Sequence, residues 1–136
     1  MKLLDYVHPL QGTASAMTFS NGNTLALVAR PFGMNAWSPQ TNEAGGGWFF
    51  HSNDRHFQGV RLTHQPSPWI GDYGHLVLLP QTDALTTGAS RRASSFRSGD
   101  MVVKPDYFKV NLRRYDATLE LTPTERCAVV RLRFGG

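Results

Sequence analysis

YFKVNLRRYDATLELTPTERCAVVRLRF, residues 107–134, alternates polar and apolar side chains through most of its length. Tyr107, Lys109, Asn111 and Arg113 fall on one side of an extended chain, and Phe108, Val110 and Leu112 on the other. One wet face and one dry face are what an antiparallel sheet packed on a core requires. ATLELTPTER repeats the arrangement, with Leu119 and Leu121 opposite Glu120, up to a turn expected at Pro123.

Outward from this stretch, NTLALVA (23–29), GWFFHS (47–52), FQGVRLTH (57–64), HLVLLP (75–80) and CAVVRLRF (127–134) lie between Gly, Pro, Asn and Ser clusters, and each predicts a short strand. No window of about 11 residues or more holds a 3.6-residue apolar period, so a short turn near TNEAGG or ALTTGAS is the most helix expected. The fold class is all-β, an antiparallel β-sandwich in preference to a barrel, which carries the same local pattern. With 136 residues, 40% of them hydrophobic and 18% charged, and with 13 Gly and 8 Pro, the chain suits one turn-rich core without linkers or repeats.

The net charge of +4 raises the question of an acidic partner. The basic residues are scattered, and the densest group, Arg91, Arg92 and Arg97, lies in a Ser-rich stretch that reads as a solvated loop without a recognition helix or RNA-binding aromatic signature. Nucleic acid is therefore not expected as a partner. Cys127 is the single cysteine, which rules out an internal disulfide or Cys-based zinc site and reads as a small buried hydrophobe. MKLLDYVHPL is interrupted too early, by Asp5, His8 and Pro9, for a signal peptide, and no stretch approaches the roughly 20 apolar residues of a membrane span. As it stands the sequence carries no export address and reads as cytoplasmic.

THQPSPWIGDYGHLVLLP, residues 63–80, gathers the groups best suited to a site. Pro66 and Pro68 stiffen the loop, while Gly71 and Gly74 allow sharp backbone turns. His64, Gln65, Trp69, Asp72 and Tyr73 are then held before an apolar strand. Indole stacks on the apolar face of a pyranose, and carboxylate, amide and imidazole bond its hydroxyls, so this composition suits a sugar. Composition weighs equally for Trp69 and Tyr73 plugging the end of a sandwich while Asp72 caps a turn. His51, His56 and His64 have no close metal-binding pairing, so no metal is expected; EAGGG (43–47) lacks the phosphate-cradling pattern. Asp54, Asp72, Glu120 and Glu125 are the carboxylates available for a glycosidase pair, but none is marked as acid or base, and Glu120 and Glu125 suit strand-edge charges or a bridge to Arg126.

Five segments, in order, resemble the N-terminal domain of glycoside hydrolase family 92, the calcium-dependent exo-α-mannosidases. VHPLQGT (7–13) is similar to VDPFIGT, and ARPFGMNAWSPQT (29–41) to VPFGMVQLSPDT. GVRLTHQPSPWIGDYGHLVLLP (59–80) resembles GFSHTHxSGxGxxDYGDxxLMP. FRSGDMVVKPDYFKVNL (96–112) resembles FSHxxExAxPGYYxVxL, and LELTPTERCAVVRLRF (119–134) resembles AELTATERVGxHRYTFP. His8, Leu62 and His75 depart from the family's usual Asp, His and Asp.

The resemblance implies an incomplete sandwich of the galactose-mutarotase-like (supersandwich) type. Residues 1–136 would be the N-terminal portion of a larger inverting α-mannosidase whose C-terminal (α/α)6 barrel is absent from this chain. It implies that the acid, the base and the calcium ligands come chiefly from that barrel, so that this chain alone has no catalytic residue and no cofactor. His64, Asp72 and Tyr73 match the motif and carry over as substrate-binding candidates; Trp48 and Trp69 join them on the stacking argument. Expected partners are mannose-containing glycans and the missing catalytic domain, with an unpaired sheet edge or self-association of the chain itself. Members of the family are often exported. The alternative is a free-standing carbohydrate-binding module using Trp48, Trp69 and Tyr73 as a platform.

Overall fold

The computed structural model describes residues 2–14, 18, 24–43, 49–63 and 76–135. In chain order its strands are β1 (Ala36–Gln40), β2 (His56–Phe57), β3 (Gly59–Thr63), β4 (Val77–Leu78), β5 (Ser94–Ser95), β6 (Met101–Lys104), β7 (Tyr107–Leu112), β8 (Ala117–Pro123) and β9 (Ala128–Phe134). One helical turn, α1 (Ala89–Arg92), precedes β5. Every pairing is antiparallel, in sheets ordered β1-β3-β4, β2-β5 and β6-β7-β8-β9. The all-β, sandwich-like architecture expected from the alternation is the one observed.

The period-two pattern builds the largest sheet. Phe108, Val110 and Leu112 of β7 are buried and lie opposite Leu121, Leu119 and Ala117 of β8, so cross-strand neighbours share one dry face. Phe57 on β2 is fully buried against this face, stacked on Phe108 with ring centroids 6.0 Å apart and edge-on to Phe96 at 6.2 Å. Val60 of β3 and Trp37 of β1 join the same cluster. The cluster therefore ties all three sheets together. A two-residue pair such as β2-β5 cannot stand alone and depends on this burial.

Gly59 sets how closely β4 approaches β3. Its φ is +145°, and a Cβ there would lie 2.4 Å from Val77 Cγ1 and 2.9 Å from Leu78 O. A side chain at this position would push β4 away.

Several local expectations are corrected. β1 was not predicted, because Pro39 lies in its middle; Pro39 is nevertheless buried, opposite Val60. NTLALVA contributes a single bridge, Val28 with Trp37, and GWFFHS no strand among its described residues. The chain does not turn at Pro123, which ends β8 opposite Ala128; the turn is made by Thr124–Cys127, where the Thr124 and Cys127 backbones and the Thr124 hydroxyl bond one another. Cys127 is exposed rather than buried, because it sits in that turn. β9 follows on the sheet's edge, and its core-side residues Val130, Leu132 and Phe134 remain part-exposed. Among the described residues no strand pairs with the outer side of β9. Arg91 and Arg92 belong to α1 rather than to a solvated loop, and Arg92 donates to the carbonyls of Gln58 and Thr87.

On the outer face, Lys109, Glu120 and Arg131 are cross-strand neighbours. Glu120 is 7% exposed. Arg131 grips it with two bonds of 2.7 Å, Tyr107 donates its hydroxyl at 2.6 Å, and Arg133 approaches to 3.7 Å. Its cationic partners are thus Arg131 and Arg133, not the expected Arg126, because the hairpin register sets the neighbours. The Arg131 bond, then the Tyr107 bond, hold the Glu120 carboxyl down to about 2. Asp100 is likewise lowered to about 2, by Arg113 first and then by the Arg97 backbone N–H.

Two outcomes follow from this packing. Phe57→Ala should cost about 3–5 kcal/mol in urea unfolding, whereas a loss under about 1 kcal/mol would mean the trio does not join the sheets. The lowered carboxyls contribute stability that is complete above their ordinary values of 4.5 and 3.8 and disappears as pH falls to about 2. Glu120→Gln should accordingly be less stable than the parent near neutrality, with the gap closing between pH 4.5 and about 2; a gap independent of pH would show that the Glu120 charge is not what stabilises.

Candidate functional site

Trp48, His64, Trp69, Asp72 and Tyr73 all lie outside the described residues. Their chain neighbours establish where they attach. Thr63, the last residue of β3, pairs with Ala36 at the start of β1, and the Leu62 N–H donates to the Leu76 carbonyl at 2.9 Å. The segment carrying His64, Trp69, Asp72 and Tyr73 therefore departs and returns at one end of β1. Trp48 attaches elsewhere. The Phe49 carbonyl accepts from Thr41 and Asn42 N–H at 2.7 and 3.0 Å, just beyond the far end of β1, roughly 16 Å away at the usual rise of a strand. That far end is consolidated by Gln40, which bonds Gln58 at 3.0 Å and accepts from Arg61 at 2.8 Å, while Arg61 lies 4.6 Å over the Phe49 ring.

A concavity of about 510 Å³ opens at the first end. One wall is formed by Met34, Asn35 and Trp37 leading into β1, and a second by Leu62, Thr63 and Leu76. The β8–β9 turn closes the third side through Arg126 and Cys127. Backbone bonds hold these walls in place: Val28 and Trp37 exchange both bonds at 2.8 and 2.9 Å, and the Met34 N–H donates to the Glu125 carbonyl at 2.7 Å. Leu62, where the related motif has His, stands on this wall and makes it more apolar. Asn35 Oδ1 and Trp37 Nε1 are buried and have no partner among the described residues. Neither residue was singled out in the sequence, where they sit between the RPFGM turn and Ser-Pro with no periodic signal.

Two of the carboxylate residues considered for catalysis, Glu120 and Glu125, are engaged apart from this concavity. Glu120 is ionised near neutrality and occupied by Arg131 and Tyr107, so it has no proton to give. Glu125 is exposed on the β8–β9 turn, where its backbone carbonyl rather than its carboxylate is engaged by Met34. His51 accepts the Asn53 N–H on Nδ1 at 3.2 Å, a local turn contact. Among the described residues no group of three or more His, Cys, Asp or Glu could hold a metal ion.

Residues 6–136 match the glycosyl hydrolase family 92 N-terminal domain. The fold is similar to an inverting family GH92 mannosidase from Bacteroides thetaiotaomicron VPI-5482, with a TM-score of 0.87 and 40% identity over 99% of this chain. It is also similar to a family GH92 α-mannosidase from Bacteroides thetaiotaomicron, with a TM-score of 0.84 and 26% identity over 98% of this chain, and to that enzyme in complex with mannoimidazole, at 0.82 and 27% over 98%. The chain spans 19%, 19% and 18% of those three chains. No curated protein matches it. A motif series in family order, an antiparallel sandwich and a match across nearly the whole chain agree: the chain belongs to the glycosyl hydrolase family 92 N-terminal domain family.

Proposed function

We propose that residues 1–136 are the N-terminal β-sandwich portion of an inverting α-mannosidase and form one edge of the pocket in which α-linked mannosides are hydrolysed, with the (α/α)6 catalytic barrel lying C-terminal to them. The observation that carries this reading is that Thr63 and Leu76, the flanks of the segment bearing His64, Trp69, Asp72 and Tyr73, both line one open concavity at the end of the sandwich. That segment supplies an indole for the apolar face of a sugar and imidazole, carboxylate and phenol groups for its hydroxyls. The inverting mannosidase among the similar structures supports hydrolysis with inversion as the parent reaction.

Inversion needs one protonated and one ionised carboxyl about 6.5–9.5 Å apart. Glu120 is held ionised by Arg131 and cannot be the acid, which favours placing the acid and base in the C-terminal part. The described residues do not fit the calcium ion that the resemblance implies. They hold no cluster of ligands, and Glu120, Asp100 and Asp5 are each bound to an Arg or Lys. The resemblance implies that the calcium ligands lie chiefly in the C-terminal part, and that is the reading proposed. A free-standing module would need Trp48, Trp69 and Tyr73 on one platform, and the attachment of Trp48 at the opposite end of β1 weighs against it.

The purified chain should release no mannose from α-mannosides and show no saturable binding of mannose oligosaccharides up to the millimolar range. In the longer enzyme, Asp72→Ala and Trp69→Ala should each lower kcat/KM by about tenfold to a hundredfold without changing the melting temperature. Turnover by the purified chain, or loop variants with full activity, would overturn this reading; saturable binding by the chain alone would favour the module.

A further inference from the structure

Asn35 and Trp37 are only 8% and 6% exposed, yet an amide oxygen and an indole N–H remain without partners among the described residues. Buried polar atoms in this condition are uncommon and unfavourable. Both residues line the same concavity, and together they offer one acceptor and one donor. One extended residue, whose own N–H and carbonyl point the same way, would meet both, its N–H donating to Asn35 Oδ1 and its carbonyl accepting from Trp37 Nε1. The remaining walls, Leu62 and Leu76 among them, are mainly aliphatic. They suit an apolar side chain, whereas the many hydroxyls of a glycan would be left unpaired against them.

Phe32 is a second, independent observation. It is fully exposed and has φ +59°, in the left-handed region that bulky residues avoid. The turn is enforced by the Gly33 N–H on the Arg30 carbonyl at 3.0 Å and by the adjoining bond from Met34 to Glu125. Phe32 is thus held in water two residues from Met34, which with Leu76 is an exposed apolar residue on the concavity.

We infer that the Phe32 turn and the concavity behind it form a docking surface for an extended polypeptide segment of the parent enzyme's C-terminal part, which brings an apolar side chain to Leu62 and Leu76 and the N–H and carbonyl of one extended residue to Asn35 and Trp37. The inference rests on the proposed place of this chain in a longer mannosidase. The similar structures have about five times its length, the chain covering 19% of theirs, so the segment would be tethered and present at high effective concentration. A second copy of a chain with charge +4 is disfavoured by repulsion.

The test is photo-cross-linking in the full-length enzyme with benzoylphenylalanine replacing Phe32, followed by peptide mapping. Cross-links within the same polypeptide to residues after 136 are expected. Cross-links between two copies, to added mannan only, or to nothing would overturn the inference. Asn35→Leu provides the second arm: it should leave the 136-residue chain as stable as before or more so, because it removes an unpaired polar atom, yet lower the intramolecular cross-link yield about tenfold. An unchanged yield would mean that only water meets this atom and would overturn the inference. An inactive enzyme that still forms the cross-link would sink the mannosidase reading and leave the docking surface standing, whereas an active enzyme without it would do the reverse.

Discussion

The contact of Phe57 with Phe96 and Phe108 is the constraint on which the rest of the structure depends. β2 and β5 pair over only two residues each, and β4 over two more; pairings this short have too little ladder to persist in water. They are held because Phe57 is pressed onto the dry face of β7 and β8, where it has no exposure to solvent. That contact in turn positions β3, which follows β2 after one residue, and through β3 the start of β1 and the flanks of residues 64–75. The candidate site is therefore placed by an aromatic contact that contributes nothing to its chemistry.

The charge of the chain is largely consumed within it. Arg131 and Arg133 surround Glu120, Arg113 grips Asp100, and Lys104 meets Asp5. Arg92 and Arg114 donate instead to backbone carbonyls around α1, tying that turn to Gln58 and to the β7–β8 connection. A formal +4 is here a property of the framework.

How much of this was legible in the sequence follows from the length of each pattern. β7 and β8 alternate for six and seven residues, enough to declare both strand and buried face. β9 alternates just as well, but alternation says which way a side chain points and not whether another layer covers it, so the exposure of Val130, Leu132 and Phe134 was unreadable. β1 was hidden by Pro39, and β2, β4 and β5 are too short to show a period. The Glu120 partner became predictable only with the register, since Arg131 is its cross-strand neighbour while Arg126 is closer in sequence. For the site, the motif at 59–80 has its described flanks, Thr63 and Leu76, on the concavity, while the candidate residues between them lie outside the described residues. Asn35 and Trp37 gave no signal, for burial without a partner is a property of packing, and their positions in ARPFGMNAWSPQT correspond to Val and Leu in the related motif.

Two apolar exposures remain on this sandwich, and they differ in kind. Along β9 the exposed side chains accompany a ladder edge that no described strand covers, so what suits them is another strand or an apolar layer continuing the core. At the concavity the ladder is already complete, since β1 and β3 pair from end to end, and what is missing is one donor and one acceptor amid aliphatic walls. The first surface is extended, and tolerates many coverings. The second asks for a polar pair at fixed positions and rejects whatever cannot supply it. Thr63 and Leu76, the described flanks of residues 64–75, both line that second surface, so the tighter of the two demands falls beside the points where that segment attaches.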